Sequence, residues 1–276
     1  METRIYQRES TQNIGKHFKE SLKDIWSSRF LSRQLAERDI KAQYRQSYLG
    51  IIWAFITPLA TAAVWIVLNL TGTVNVTDAG VPYPLFAFTG TLLWSILTEA
   101  INLPTLNTQM AKGILTKINF PKEALVISGI YKLLFNSSVK VLLLVVFVFL
   151  FGVGFHWSLL LLPFFIFGAI LFGVTIGLFI TPFSMLYKDV GKIIGFATSF
   201  LMYITPVVYP IPSSGIMKTI MEVNPLSAII GTGRDLITGM IPQFGVYFLI
   251  IMLVCIPLFI LGIVFYRISI PIIIER

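Results

Sequence analysis

Charge is what this chain has least of. Asp, Glu, Lys and Arg make up 12% of its 276 residues, against about 25% in soluble globular domains. With 56% apolar residues and a mean hydropathy of +0.83, that deficit reads as an integral membrane protein. It excludes a soluble enzyme, a disordered chain and a nucleic-acid-binding domain. Cysteine is nearly absent too. Cys255 stands alone in the last apolar run, which excludes an intrachain disulfide framework and a cysteine metal site. His17 and His156 are far apart in sequence, so no histidine metal site is expected. No cleavable signal peptide is visible: the first 13 residues are polar, and the first long apolar run starts near residue 49.

A phosphate loop is missing as well. Gly191-Lys192 has Leu186 where the first glycine of such a loop should stand, and Gly231-Thr232-Gly233 lacks the third glycine of a dinucleotide fingerprint. The chain is expected to bind no ATP, cofactor or metal of its own. Glu99 is the one acid inside an apolar run and lies near the cytoplasmic end of the second, whereas ion-coupled carriers place acids or broken helices near midplane. Energy for transport would then come from a partner, or transport would be passive.

What the chain does have is long apolar runs. A helix needs about 20 apolar residues to cross the hydrocarbon core. Six runs qualify, at 49–70, 85–103, 133–154, 158–186, 190–208 and 244–266. They are too long and too uniformly apolar for barrel strands of period two. The spacing therefore predicts an all-α membrane protein with six transmembrane helices. It divides into a 1–48 N-terminal segment and a 49–276 six-span domain, with no soluble catalytic domain.

The basic residues set the orientation. Ten of the 21 Lys and Arg residues precede residue 49, three lie in 104–123, two in 187–192 and two in the tail. The loops at 71–84 and 153–157 hold none, and 209–243 holds two. The positive-inside bias places both termini in the cytoplasm.

Four segments carry candidate function. Ile14, Phe18, Leu22, Ile25, Trp26 and Phe30 recur at helical spacing among Lys16, Lys19, Lys23, Arg29 and Arg33, as in a helix lying in the membrane interface. Such a helix is either a plain anchor or a gate element attached to the first span. The 104–123 loop reads as a short helix ending before Pro121. Gln109, Met110, Ile114, Leu115 and Phe120 there, beside Lys112 and Lys117, offer an apolar docking patch.

Phe196, Phe200 and Tyr203 share one face of the fifth run, which breaks at Pro206. Aromatic faces suit both sugar stacking and ordinary helix packing. The 209–243 segment is too apolar for an external loop and too interrupted by Pro210, Pro212, Pro225 and Gly231 for a span. Two short re-entrant helices in the outer leaflet fit it, in protein-covered surroundings, with Arg234 and Asp235 near the outer surface.

Ser128, Lys132, Asn136 and Lys140 form a polar stripe at a spacing of four. Lys132 can snorkel to the interface. Lys140 is deeper, and a lysine there costs about 2.5–3.5 kcal/mol. It needs either an anionic substrate or a structural partner such as Glu99. Gly173/Gly177 and Gly191/Gly195 permit close helix approach and are expected in internal packing.

The run RDIKAQYRQSYLGIIWAFITPL at 38–59 resembles the lead-in to the first span of permeases of the ABC-2 transporter class, closest to the branch exporting lipid-linked polysaccharide. MAKGILTKINFPKEALVIS at 110–128 resembles that family's coupling helix, and LYKDVGKII at 186–194 its turn between spans four and five. PVVYP at 206–210 and NPLSAIIGTGRD at 224–235 resemble its external re-entrant region. Lys188 departs from the Arg that the family more often carries.

The resemblance implies a homodimer in the bacterial cytoplasmic membrane, served by two separate ATPase subunits that bind ATP and Mg. Gln109 to Phe120 would dock on the ATPase. The interface helix (Phe18, Leu22, Trp26, Phe30) would form part of the gate. The first and fifth spans would line the path of a lipid-linked glycan, with Phe196, Phe200, Tyr203 and Lys140 along it. O-antigen is the first substrate implied, with teichoic acid and capsule as others. The alternatives are an ABC-2 permease for a drug, haem or lipid, and an ion-coupled flippase. A membrane-embedded transferase lacks the acid or histidine cluster it would need.

Overall fold

The structure, a computed structural model, describes residues 21, 23–45, 52–73, 80–115 and 120–274. All regular structure among them is helical. Residues 23–27 form a helical turn that leads through Ser28 into α1 (Arg29–Arg45). Then come α2 (Trp53–Leu70), α3 (Tyr83–Leu115), α4 (Glu123–Leu150), a 3-10 segment (Trp157–Leu161) and α5 (Leu162–Leu186). After these run α6 (Lys188–Tyr203), α7 (Ile216–Val223), α8 (Pro225–Thr238) and α9 (Gly245–Ile274). Phe18, Leu22 and Lys117 lie outside the described residues.

Four segments are long and apolar enough to cross a membrane: α3, α4, Trp157–Leu186 and Gly245–Ile273 of α9. They answer to the second, third, fourth and sixth apolar runs. The first and fifth runs also fold as helices but are shorter. With 18 residues in α2 and 16 in α6, they reach about 27 and 24 Å at about 1.5 Å per residue.

α3 is the centre of the bundle. It packs on α2, α4, α5 and α8, while α5 packs on α3, α6 and α9. Small residues explain the α3–α5 seam. A Cβ on Gly173 would meet Ala100 and the Leu97 carbonyl, and one on Gly177 would meet the Ile101 carbonyl and Pro104. These glycines let the two backbones approach until side chains interlock. The second glycine pair behaves otherwise: Gly191 has only Ser184 nearby, and a Cβ on Gly195 would meet nothing. That pair is not internal packing in this chain.

Two boundaries differ from the sequence reading. The second run does not end at 103. α3 continues through Pro104 to Leu115, so the expected separate short helix is its extension. Proline removes one backbone donor, but helices tolerate that where neighbours cover the gap. Here the Pro104 ring fills the space left by Gly177. As a result Glu99 sits near the middle of a 33-residue helix rather than near its end. α6 stops at Tyr203, short of the expected 208. Pro206 restricts the residue before it, and the chain turns through 204–209.

Candidate functional site

At about 1.5 Å per residue, α3 is about 50 Å long, against a hydrocarbon core of about 30 Å. The helix therefore outruns the apolar slab, and its exposed, lysine-bearing end is at 109–115. Met110 is 62% exposed, and Gln109, Lys112 and Ile114 are also exposed. Leu115 points the other way, 9% exposed and part of the core, as is Ala111. Phe120, on the returning limb, is half-buried against the core. The exposed patch is thus narrower than the sequence list. The two limbs are tied by Asn107, whose side-chain amide donates to the Leu125 carbonyl at 3.0 Å.

Beside this hairpin lies a cluster that sequence reasoning missed. Arg267 Nη1 donates to Asp24 Oδ2 and to Glu123 Oε1, both at 2.8 Å. Ser21 Oγ donates to the same Glu123 oxygen at 2.9 Å. Glu123 is 1% and Asp24 4% exposed, so two buried carboxylates share one guanidinium through charge-assisted hydrogen bonds. Burial pulls the neighbouring Lys122 ammonium below its usual range, against the opposing pull of Glu123. The preceding residue, Tyr266, is fully buried and its hydroxyl bonds Thr108 Oγ1 at 2.6 Å. These partners are far apart in sequence, and no local pattern announces them.

The N-terminal helix is built inside-out relative to a soluble one. Ser21, Asp24, Ser28, Ser32 and Ala36 are buried, and α1 packs on α4. Trp26 and Phe30 face outward, with the Arg29 guanidinium 4.7 Å from the Trp26 ring centroid. Small residues at a spacing of four let it approach α4 closely. Its large apolar residues are left for an apolar surrounding, as in an interfacial helix.

α6 buries no residue. Phe196 is 75% exposed, and Phe200 and Tyr203 are exposed on the same helix. Next to α6, a cleft of about 150 Å³ opens between α3, α5 and the start of α6, edged by Asn102, Thr105, Gln109 and Ser184. Lys140 does not join the aromatics. It is 2% exposed and donates to Glu99 and, at 3.1 Å, to Ser95 Oγ, both on α3. The structural partner weighed for it in the sequence is the one it has.

The turn after α6 is held by three side chains. Asn224 Nδ2 donates to the Ile204 carbonyl at 3.1 Å, Arg234 Nη2 to Val207 at 2.7 Å and the Tyr83 hydroxyl to Val208 at 3.0 Å. Gly90 leaves room for the Val207 carbonyl and the guanidinium. Arg234 is therefore buried within the chain, its guanidinium 3.5 Å from the Phe86 ring centroid. Asn224 also caps α8 through the Leu226 N–H, and Gly239 ends it at a φ of 74°.

Residues 31–237 match the family described as ABC-2 type transporter. That match covers most of the chain, and the chain belongs to this family of membrane transport proteins. It is a multi-pass membrane protein. Among curated relatives, it is similar to the O-antigen export system permease protein RfbA of Myxococcus xanthus. The two are 24% identical over 212 residues, 75% of this chain and 80% of that protein. A protein of the same name from Klebsiella pneumoniae is 22% identical over 210 residues, 73% of this chain and 78% of that one.

Proposed function

We propose that the chain is the permease subunit of an ATP-driven exporter of lipid-linked polysaccharide, with O-antigen as the first candidate and teichoic acid or capsule as others. The projecting end of α3 carries this reading. A core-buried helix that runs on beyond the hydrocarbon to expose Met110 and Ile114 is suited to receive a partner's motion directly at the centre of the bundle. The O-antigen export permeases among its relatives support the glycan class. ATP and Mg belong to a separate ATPase, two copies per transporter, docking at the exposed Gln109, Met110, Lys112 and Ile114 with Lys117 beside them in sequence, while Leu115 and Phe120 anchor that patch to the core.

In this reading α2, α3, α4, α5, α6 and α9 are the six spans of the 49–276 domain, and α7 and α8 are external re-entrant helices. Both termini are on the cytoplasmic side of the inner membrane, by the distribution of Lys and Arg. Two copies of the chain bring α2 and α6 together around the glycan path. Phe196, Phe200 and Tyr203 line that path and stack loosely on sugar rings. Lys140 contributes by holding α4 to α3. The 1–48 segment, with Phe18, Leu22, Trp26 and Phe30, lies along the interface beside the gate.

The test is co-purification with the ATPase encoded beside the gene, comparing the wild type with a Met110→Asp, Ile114→Asp variant. Wild-type chain should bring down the ATPase and the variant should not, with surface polysaccharide lost in parallel. A wild-type chain that never binds an ATPase would sink the reading in favour of an ion-coupled carrier. ATPase binding lost in the variant while surface glycan stays unchanged would move the substrate to a drug, haem or lipid.

A further inference from the structure

α9 offers two consecutive polar residues to the docking hairpin, and they hold different limbs of it. Tyr266 takes the outgoing limb through Thr108, just before the exposed tip. Arg267 takes the returning limb through Glu123, the first residue of α4. The same Arg267 nitrogen takes Asp24, on the helical turn that opens the N-terminal helix. Ser21 adds a second tie from that turn to Glu123. Successive residues of a helix point about 100° apart, so one rung of α9 can serve both limbs without bending.

On the export reading, which this inference rests on, we propose that Tyr266 and Arg267 are positioning residues. They bracket the docking hairpin and the N-terminal helix to α9, so that a push on the hairpin moves that helix as part of one body. The chemistry favours a bracket over a loose contact. Glu123 and Asp24 are buried beside each other and repel unless the guanidinium lies between them. A buried carboxylate that loses a guanidinium donor is costly, which favours keeping the three groups together. A guanidinium can hold two carboxylates at once in fixed geometry, which an ammonium does less well. Packing alone would hold the α1–α4 contact but would let the helix slide along its row of serines.

The test uses the full transporter with its ATPase, and three variants. Asp24→Asn weakens only the Arg267 tie to the N-terminal helix, leaving the Arg267–Glu123 pair and the Ser21–Glu123 bond in place. Arg267→Gln breaks the whole bracket, and Arg267→Lys keeps its charge. In Asp24→Asn the complex should co-purify and hydrolyse ATP within about twofold of wild type, while surface polysaccharide falls about fivefold or more. Amide exchange over residues 23–45 should quicken about tenfold or more. Arg267→Gln should extend the faster exchange to residues 120–126, and Arg267→Lys should fall between it and wild type.

Hydrolysis and export falling together, in step with the amount of folded complex, would reduce the cluster to a structural tie and overturn the proposal. So would unchanged exchange over 23–45 in both Asp24→Asn and Arg267→Gln. If the wild-type chain binds no ATPase, the export reading fails and takes the transmission role with it. The exchange measurement on the chain alone then still decides whether the bracket exists.

Discussion

α3 and α6 are both apolar helices in one bundle, and they are treated in opposite ways. α3 buries residues on every side, from Tyr83 to Leu115. α6 buries none and leans only on α5 among the major contacts. A helix apolar all round belongs in a core. A helix with two aromatics and a tyrosine turned outward belongs against lipid, a second chain or a substrate. The contrast separates a scaffold, whose residues are chosen for fit to each other, from a working surface, whose residues are chosen for something outside the chain. The same division runs through the glycines: Gly173 and Gly177 are pressed against α3, whereas Gly195 faces open space.

Substitutions can break or sharpen that contrast. The largest effect is expected at the scaffold seam. Gly177→Leu would drive a side chain into the Ile101 carbonyl and the Pro104 ring. It should cost ~3 kcal/mol or more, seen as loss of monodisperse protein after detergent extraction. Gly195→Leu should extract like the wild type.

The Lys140–Glu99 pair should give a middle-sized and asymmetric effect. The Lys140 side chain is 3% exposed and that of Glu99 44%. Removing the acid strands a buried cation, so Glu99→Leu should cost ~3 kcal/mol. Removing the cation leaves the less enclosed charge of the two, so Lys140→Met should cost less, ~1 kcal/mol. Thermal melting in detergent should rank them so, with the double variant nearer wild type than Glu99→Leu. If Lys140→Met proves the worse of the two, Lys140 has a duty besides this pair.

The smallest effect on stability is expected on α6. Phe196→Ala with Phe200→Ala should shift chain stability by less than ~0.5 kcal/mol, because little of either ring is covered. Surface polysaccharide should nevertheless fall severalfold. Melting and export moving together would return these aromatics to the scaffold.

The apolar runs were legible because span length is a property of composition: about 20 apolar residues cannot stay in water, whatever they pack against. The 104–123 segment was legible in part. Met110 and Ile114 emerge as expected, but Leu115 turns inward, because helix phase relative to a neighbour is not written locally. Pro104 makes a similar point. Read alone, it ends a helix, and only Gly177 on α5 makes it a filler of space. Lys140 shows the opposite case. A lysine at that depth demands an anion, so a partner was expected, and Glu99 was already the one acid within a span.

The sequence by itself determined that this is a multi-pass helical membrane protein, which segments could cross, and which family it belongs to. Hydrophobic transfer is additive along a chain and needs no knowledge of contacts. Tertiary structure alone decided who meets whom. It brought Asp24, Glu123 and Arg267 together across separations of 243 and 144 residues. It buried Arg234 over Phe86 and left α6 uncovered. Charge pairing and burial depend on distance in space, which falls off within a few ångströms, and chain order does not encode that distance.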